Sequence, residues 1–133
     1  MRLRLVLLVA AMMAVLAVAS GVAVAAAIDG TRGDDRLKGT SGRDQLTGHA
    51  GDDVLIGLRG ADNLDGDGGR DTIYTGPKGE SAKDVVDAGD GNDKVYAFNR
   101  PASKDVISCG AGFDRVTADS RDVLESCNRV SRP

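Results

Sequence analysis

The sequence predicts an all-β protein in which very short strands stack into a parallel solenoid of nine-residue repeats, two repeats to each coil. The first observation is that the 133 residues include 18 Gly and 18 Asp, which are poor helix formers and favour turns. The second is that aromatic residues make up only 3% of the chain, which argues against a core built around large rings. The third is that aspartate, glycine and an aliphatic residue recur together at a fixed interval of nine.

Residues 1–27 are predicted to be a secretory signal peptide and not part of the fold. Two arginines near the start are followed by an apolar stretch and then by small residues. This layout is typical of a signal peptide that is cleaved, here after Ala25 or after Ala27. A retained membrane anchor is the alternative, because the apolar stretch approaches the length of a membrane span. Cleavage removes two basic residues and no acid, which changes the formal charge from −3 to −5.

Five regular repeats occupy residues 30–75. In each repeat an aliphatic residue lies two positions after an aspartate, and glycines lie two and five positions before it. We interpret the glycine and aspartate half as a turn, and the aliphatic half as a short strand with one apolar side chain pointing inward. A single unit cannot bury that side chain alone, so the units must stack.

Degenerate repeats follow over residues 76–133, and we expect them to close the solenoid as a C-terminal cap. Insertions interrupt the interval of nine, although Asp93 keeps most of the pattern. The two cysteines, Cys109 and Cys127, can form a disulfide, because an exported chain meets an oxidising compartment. This bond would close a loop of about 19 residues and stabilise the fold by roughly 3 kcal/mol. Two free buried thiols are the alternative.

The stacked repeats would place aspartates 18 residues apart above one another. Carboxylates at a spacing of about 5 Å repel each other, whereas a hard divalent cation between coils would make the arrangement favourable. Ca²⁺ suits such a site because it accepts carboxylate and backbone carbonyl oxygens in flexible geometry, while Mg²⁺ demands tighter geometry. Zinc and copper would require His or Cys ligands, which the repeat lacks. In a metal-free alternative, each aspartate caps its own turn by hydrogen bonding to the backbone.

Units such as residues 48–56 and 66–74 resemble the hemolysin-type, or RTX, calcium-binding nonapeptide repeat, G-G-x-G-x-D-x-U-x. The resemblance is close over residues 30–74 and looser over residues 79–124. It implies a parallel β-roll with Ca²⁺ held between adjacent turns. The metal ligands that it implies are Asp35, Asp44, Asp53, Asp62, Asp71 and Asp93.

The second position of the motif departs from glycine in the regular repeats. It holds Thr31, Thr40, His49, Leu58 and Asp67. A side chain disfavours the positive φ that glycine adopts freely, so we expect some of the turns to be distorted and to bind calcium weakly.

Together these features predict a secreted calcium-binding repeat protein that folds outside the cell when Ca²⁺ bridges its turns. The alternative is a calcium-stiffened adhesion or surface-interaction module, whose protein or surface partner the sequence does not identify. The net negative charge argues against a nucleic-acid partner, and signal-peptide cleavage would leave no lasting membrane insertion. We expect an extracellular location, free or attached to the cell surface. No enzyme activity is expected, because the paired carboxylates follow the repeat and no catalytic domain accompanies them.

Overall fold

A computed structural model describes residues 24–77, 81–99 and 103–133, which form an all-β parallel solenoid. The predicted signal peptide, residues 1–27, lies outside the described residues up to position 23. Parts of the two predicted insertions, residues 78–80 and 100–102, lie outside them as well. Across the described ranges, no helix has the length and apolar character needed to cross a membrane.

The described residues contain twelve strands of three or four residues each. In chain order they are β1 (Ala27–Asp29), β2 (Arg36–Lys38), β3 (Gln45–Thr47), β4 (Val54–Ile56), β5 (Asn63–Asp65), β6 (Thr72–Tyr74), β7 (Val85–Asp87), β8 (Lys94–Ala97), β9 (Val106–Ser108), β10 (Arg115–Ala118), β11 (Val123–Glu125) and β12 (Arg129–Ser131). Sheet 1 has the order β1-β3-β5-β7-β9-β11, and sheet 2 has the order β2-β4-β6-β8-β10-β12. Because each strand pairs in parallel with the strand one coil later, the prediction of two repeats per coil is confirmed.

The core consists of one inward-pointing side chain from the centre of each strand. The aligned side chains include Leu37, Leu55 and Ile73 on sheet 2 and Leu46 and Leu64 on sheet 1. All of these are buried, and Leu37 at the N-terminal end is the most exposed at 7%. Since a three-residue strand turns only its central side chain inward, the interior is narrow. The rings of Tyr74, Tyr96 and Phe113 accordingly lie exposed on the outside.

The degenerate C-terminal repeats retain the architecture of the regular ones and bring the solenoid to its end. Aligned aspartates are 18 residues apart in the regular coils, then 22 and 21 residues apart, and finally 17 residues apart. Strand register is kept across the longer coils, so the extra residues fall between strands along the chain. The predicted disulfide is present, with an S–S distance of 1.99 Å between Cys109 and Cys127. Cys109 is buried in the core, so the bond ties the last coil to the one before it.

Candidate metal centre

An aspartate immediately precedes each strand from β2 to β11, and these aspartates form two rows along the edges of the solenoid. Row 1 leads into sheet 1 and contains Asp44, Asp62, Asp84, Asp105 and Asp122. Row 2 leads into sheet 2 and contains Asp35, Asp53, Asp71, Asp93 and Asp114. The structure places two of the six sequence-predicted ligands in row 1 and four in row 2.

One carboxylate oxygen of each row 2 aspartate after Asp35 joins consecutive coils. The backbone N–H of Asp53 donates to Oδ1 of Asp71 at 2.9 Å, and the N–H of Asp71 donates to Oδ1 of Asp93 at 2.8 Å. The N–H of Asp93 donates in turn to Oδ1 of Asp114 at 3.0 Å. Row 2 then ends at Asn128, whose Oδ1 accepts from the N–H of Asp114 at 2.8 Å. At these four aspartates one carboxylate oxygen therefore holds the stack together, and the other oxygen remains for a ligand.

The second carboxylate oxygen is buried at four positions of row 2 and accepts no hydrogen bond from any described residue. These positions are Asp53, Asp71, Asp93 and Asp114. Burial raises the pKa of Asp71 to about 7 and that of Asp93 to about 6, against an ordinary value of 3.8. Burial also raises the pKa of Asp53. Neighbouring carboxylates add to each of these shifts, and backbone hydrogen bonds oppose them. A buried carboxylate that lacks a partner is unfavourable, and a bound cation would supply one.

Glycines leave the space in which these oxygens meet a carbonyl oxygen of the next coil. A Cβ atom on Gly48 would lie 2.5 Å from Oδ2 of Asp53 and 2.9 Å from the carbonyl oxygen of Gly66. A Cβ atom on Gly66 would lie 2.5 Å from Oδ2 of Asp71 and 2.6 Å from the carbonyl oxygen of Ala88. Carboxylate and carbonyl oxygens from adjacent coils therefore converge where the glycine lacks a side chain.

The oxygen atoms of row 2 fit calcium better than other common metals. Carboxylate and carbonyl oxygens are the ligands that Ca²⁺ accepts, whereas structural zinc sites use Cys and His. Within the part of the chain that the structure describes, no three His, Cys, Asp or Glu side chains form a group that could hold a metal ion. A cation in row 2 would therefore draw much of its coordination from backbone carbonyl groups, which the glycine turns expose.

Two of the sequence-predicted ligands, Asp35 and Asp44, already have hydrogen-bond donors for the second oxygen. The backbone N–H and the hydroxyl of Thr31 donate to Oδ2 of Asp35 at 2.5 and 2.9 Å. Those of Thr40 donate to Oδ2 of Asp44 at 2.6 and 3.2 Å. These carboxylates need a cation less than the buried ones of row 2 do.

At the C-terminal end of row 1, protein groups also donate hydrogen bonds to the carboxylate oxygens. The hydroxyl of Ser103 donates to Oδ1 of Asp105 at 3.1 Å. The backbone N–H of Asp119 donates to Oδ2 of Asp122 at 2.7 Å. At this end of row 1 the protein itself thus provides donors where a metal would otherwise be needed.

A side chain at the second motif position does not prevent positive φ in three of the five regular repeats. His49, Leu58 and Asp67 adopt φ values of 74°, 79° and 66°, in the left-handed region that glycine favours. A non-glycine residue held there costs about 1–3 kcal/mol, which the rest of the fold must outweigh. At the other two repeats, the threonine side chains of Thr31 and Thr40 hydrogen-bond the aspartate instead.

Asp114 is the ligand candidate that sequence reasoning missed in row 2, because its repeat matches only part of the motif. The signal that could have found it is the aliphatic Val116 two positions later, which marks the strand that the aspartate precedes. The register between β8 and β10 then brings Asp114 onto the same edge as Asp93.

Comparison with known protein families gives one match. The family model described as the RTX calcium-binding nonapeptide repeat (4 copies) matches residues 29–64, 47–77 and 78–98. The matched stretch covers more than half of the 133 residues, and strands β9 to β12 lie beyond it. No curated protein and no solved structure matches the chain.

Proposed function

Because the chain belongs to the RTX calcium-binding nonapeptide repeat family, we propose that it binds Ca²⁺ between adjacent coils and becomes rigid by doing so. The four buried, unsatisfied carboxylate oxygens of row 2 carry this proposal. Without an ion they place negative charge in the interior, which opposes folding. With an ion they become ligands, so calcium binding and folding are coupled.

The principal ligands that we propose in row 2 are Asp53, Asp71, Asp93 and Asp114. Asp62 is proposed for row 1, since a Cβ atom on Gly57 would lie 2.5 Å from its Oδ2 and 2.5 Å from the carbonyl oxygen of Thr75. Asp35 and Asp44 are proposed as weaker ligands, because hydroxyl donors compete with the cation for the same oxygen.

Calcium titration of the mature chain, followed by circular dichroism and calorimetry, tests this function. Starting in EDTA, at a urea concentration near the unfolding midpoint of the metal-free chain, we expect the strand signal to rise with added CaCl₂. Affinities of about 10⁻⁴–10⁻³ M are typical of extracellular calcium modules. An equal concentration of MgCl₂ is the control and should produce a much smaller change. An unchanged strand signal together with no heat of calcium binding would exclude the proposal.

Export by an N-terminal signal peptide is the second part of the proposal, and it places folding outside the cell. Sites of the expected affinity would be empty at intracellular calcium and filled at extracellular calcium. The fold favours one of the two cleavage positions, because the backbone N–H of Ala26 donates to Oδ1 of Asp44 at 2.7 Å and β1 begins at Ala27. Cleavage after Ala25 keeps both features, so intact-mass measurement of the secreted protein should give a chain that begins at Ala26. A chain beginning at Ile28 would contradict this assignment.

A further inference from the structure

The outer faces of the two sheets carry opposite charges. The first and third positions of the sheet 2 strands point outward and hold five cations and no acid: Arg36, Lys38, Lys94, Arg115 and Arg129. The same positions of sheet 1 hold four acids and no cation: Asp29, Asp65, Asp87 and Glu125. A chain with a net charge of −3 has therefore collected cations on one face.

Three of these cations, Lys94, Arg115 and Arg129, are neighbours and are called the basic row below. Lys94 is aligned with Arg115, and Arg115 is aligned with Arg129, on strands about 4.8 Å apart. All three side chains are exposed. The outward positions of the sheet 2 strands hold no acid that could neutralise the basic row. Like charges in adjacent register destabilise a sheet, and the packing of the fold does not require them.

Two surface cavities lie on either side of the basic row and share its three residues as a wall. The cavity on the sheet side has a volume of about 550 Å³ and also includes the side chains of Tyr96, Thr117 and Ser131. The cavity on the turn side has a volume of about 380 Å³ and also includes Phe113 and the buried row 2 aspartates Asp93 and Asp114. On the sheet side, a ligand would meet cations flanked by hydroxyl groups.

We propose that the outer face of sheet 2 binds a linear polysaccharide that carries carboxylate groups, with the basic row as its main contact. Arginine binds carboxylates strongly because its planar fork can donate two parallel hydrogen bonds. The row is aligned along the solenoid axis, so successive carboxylates of an extended chain could each meet one cation. The hydroxyl groups of Thr117 and Ser131 lie beside that path and can bond the sugar hydroxyls.

The dimensions of the face favour a narrow chain over a folded protein. Six strands and three residues per strand give a strip roughly 24 Å long and 10 Å wide. Its area, roughly 240 Å², is far below the roughly 800 Å² that each partner buries in a stable protein complex. The acidic face of a second copy has the complementary charge, but its area is equally small.

The aromatic side chains on the strip favour a polysaccharide over single-stranded nucleic acid. Nucleic-acid binding of that kind relies on open aromatic faces on which bases stack. Tyr74 and Tyr96 instead stack on each other, with ring centroids 4.9 Å apart and planes inclined by 9°. Each ring therefore has one face covered by its neighbour.

Binding of hexagalacturonate, measured by calorimetry in millimolar CaCl₂, tests the proposal on the mature chain. The test variant is Lys94→Gln/Arg115→Gln/Arg129→Gln. The matched control, Arg32→Gln/Arg43→Gln/Arg59→Gln, removes the same charge from exposed turns. We expect the affinity to fall at least tenfold in the test variant and to stay within about twofold in the control. Added NaCl should weaken binding to the wild-type chain, because exposed charges are screened.

Three other ligands test which class of molecule the basic row binds. Maltohexaose is neutral and should not bind. Tighter binding of single-stranded DNA of matched charge, or of phosphatidylserine vesicles, would overturn the assignment. Equal losses in the two variants, or no binding of hexagalacturonate, would overturn it as well. Polysaccharide binding is a separate proposal from calcium binding. A calcium titration of every sample reports on calcium binding and folding. The two proposals can therefore fail independently, and the measurements show which one has failed.

Discussion

Replacing Asp71 by asparagine should stabilise the metal-free chain and reduce the stability that it gains from calcium. The amide oxygen of asparagine can still accept the 2.9 Å hydrogen bond from the N–H of Asp53. The amide nitrogen would take the place of the buried Oδ2, which points to the same space as the carbonyl oxygen of Ala88. An unsatisfied charged oxygen thus becomes a donor beside an acceptor.

The size of the effect follows from what the substitution removes. A buried polar group without a partner costs about 1–3 kcal/mol, so the free energy of unfolding in EDTA should rise by about that amount. At a calcium concentration ten times Kd, each site adds about 1.4 kcal/mol of stability to the wild-type chain. The variant should lose at least one such contribution, because it lacks a charged ligand.

Urea unfolding at about pH 8, once in EDTA and once in CaCl₂, measures both parts. Asp52→Asn is the matched control: it removes the same charge at an exposed site, where Oδ1 accepts the N–H of Arg70 at 2.9 Å. The control should change the unfolding free energy by less than about 0.5 kcal/mol in either buffer. If Asp71→Asn were less stable than the wild-type chain in EDTA, the buried carboxylate of Asp71 would not be destabilising. The stability gained from calcium would then need another explanation.

Three further predictions concern acidity, the glycine space and the disulfide. In EDTA the wild-type chain should lose stability as the pH rises from about 5 to 8, because the folded-state pKa of Asp71 is about 7 and the ordinary value is 3.8. A urea midpoint that increased over this pH range would contradict the predicted loss of stability. Gly48→Ala should lower the unfolding free energy by about 1–3 kcal/mol and weaken calcium binding in calorimetry, since its Cβ would lie 2.5 and 2.9 Å from two oxygen atoms. Gly68→Ala, whose Cβ would be 3.8 Å from the nearest atom, should have little effect, and equal losses would refute the steric account. Replacing Cys109 and Cys127 by serine should lower the unfolding free energy by about 3 kcal/mol in either buffer, and an unchanged urea midpoint would contradict this value.

The fold could be predicted from the sequence because the repeat imposes it. One aliphatic side chain per nine residues has no way to be buried except against the repeats before and after it. The alignment of Leu37 with Leu55 follows directly from two repeats per coil. The aspartates follow the same period, so their positions in two rows could be predicted in the same way.

Features that depend on side-chain contacts or on inserted residues could not be predicted from the repeat. The threonine hydroxyls of Thr31 and Thr40 satisfy two aspartates, which only the geometry of the turn reveals. Asp114 joins row 2 although it lies 21 residues after Asp93, and a count in steps of nine does not predict that alignment. Leu58 adopts a left-handed conformation, which the local preference of its side chain does not predict.

The hydrogen bonds of row 2 all run in one direction, from the N–H of one coil to the carboxylate of the next, so each coil is held only by its neighbours. Tension applied to the two ends of the chain would consequently detach coils singly, starting from the N-terminal end, where the coils carry no covalent link. Each of the regular coils would release 18 residues, and the bond between Cys109 and Cys127 would stop the process at the last coil. Calcium in the rows would set the force at which each coil opens, which makes the solenoid an extensible tether with graded mechanical resistance.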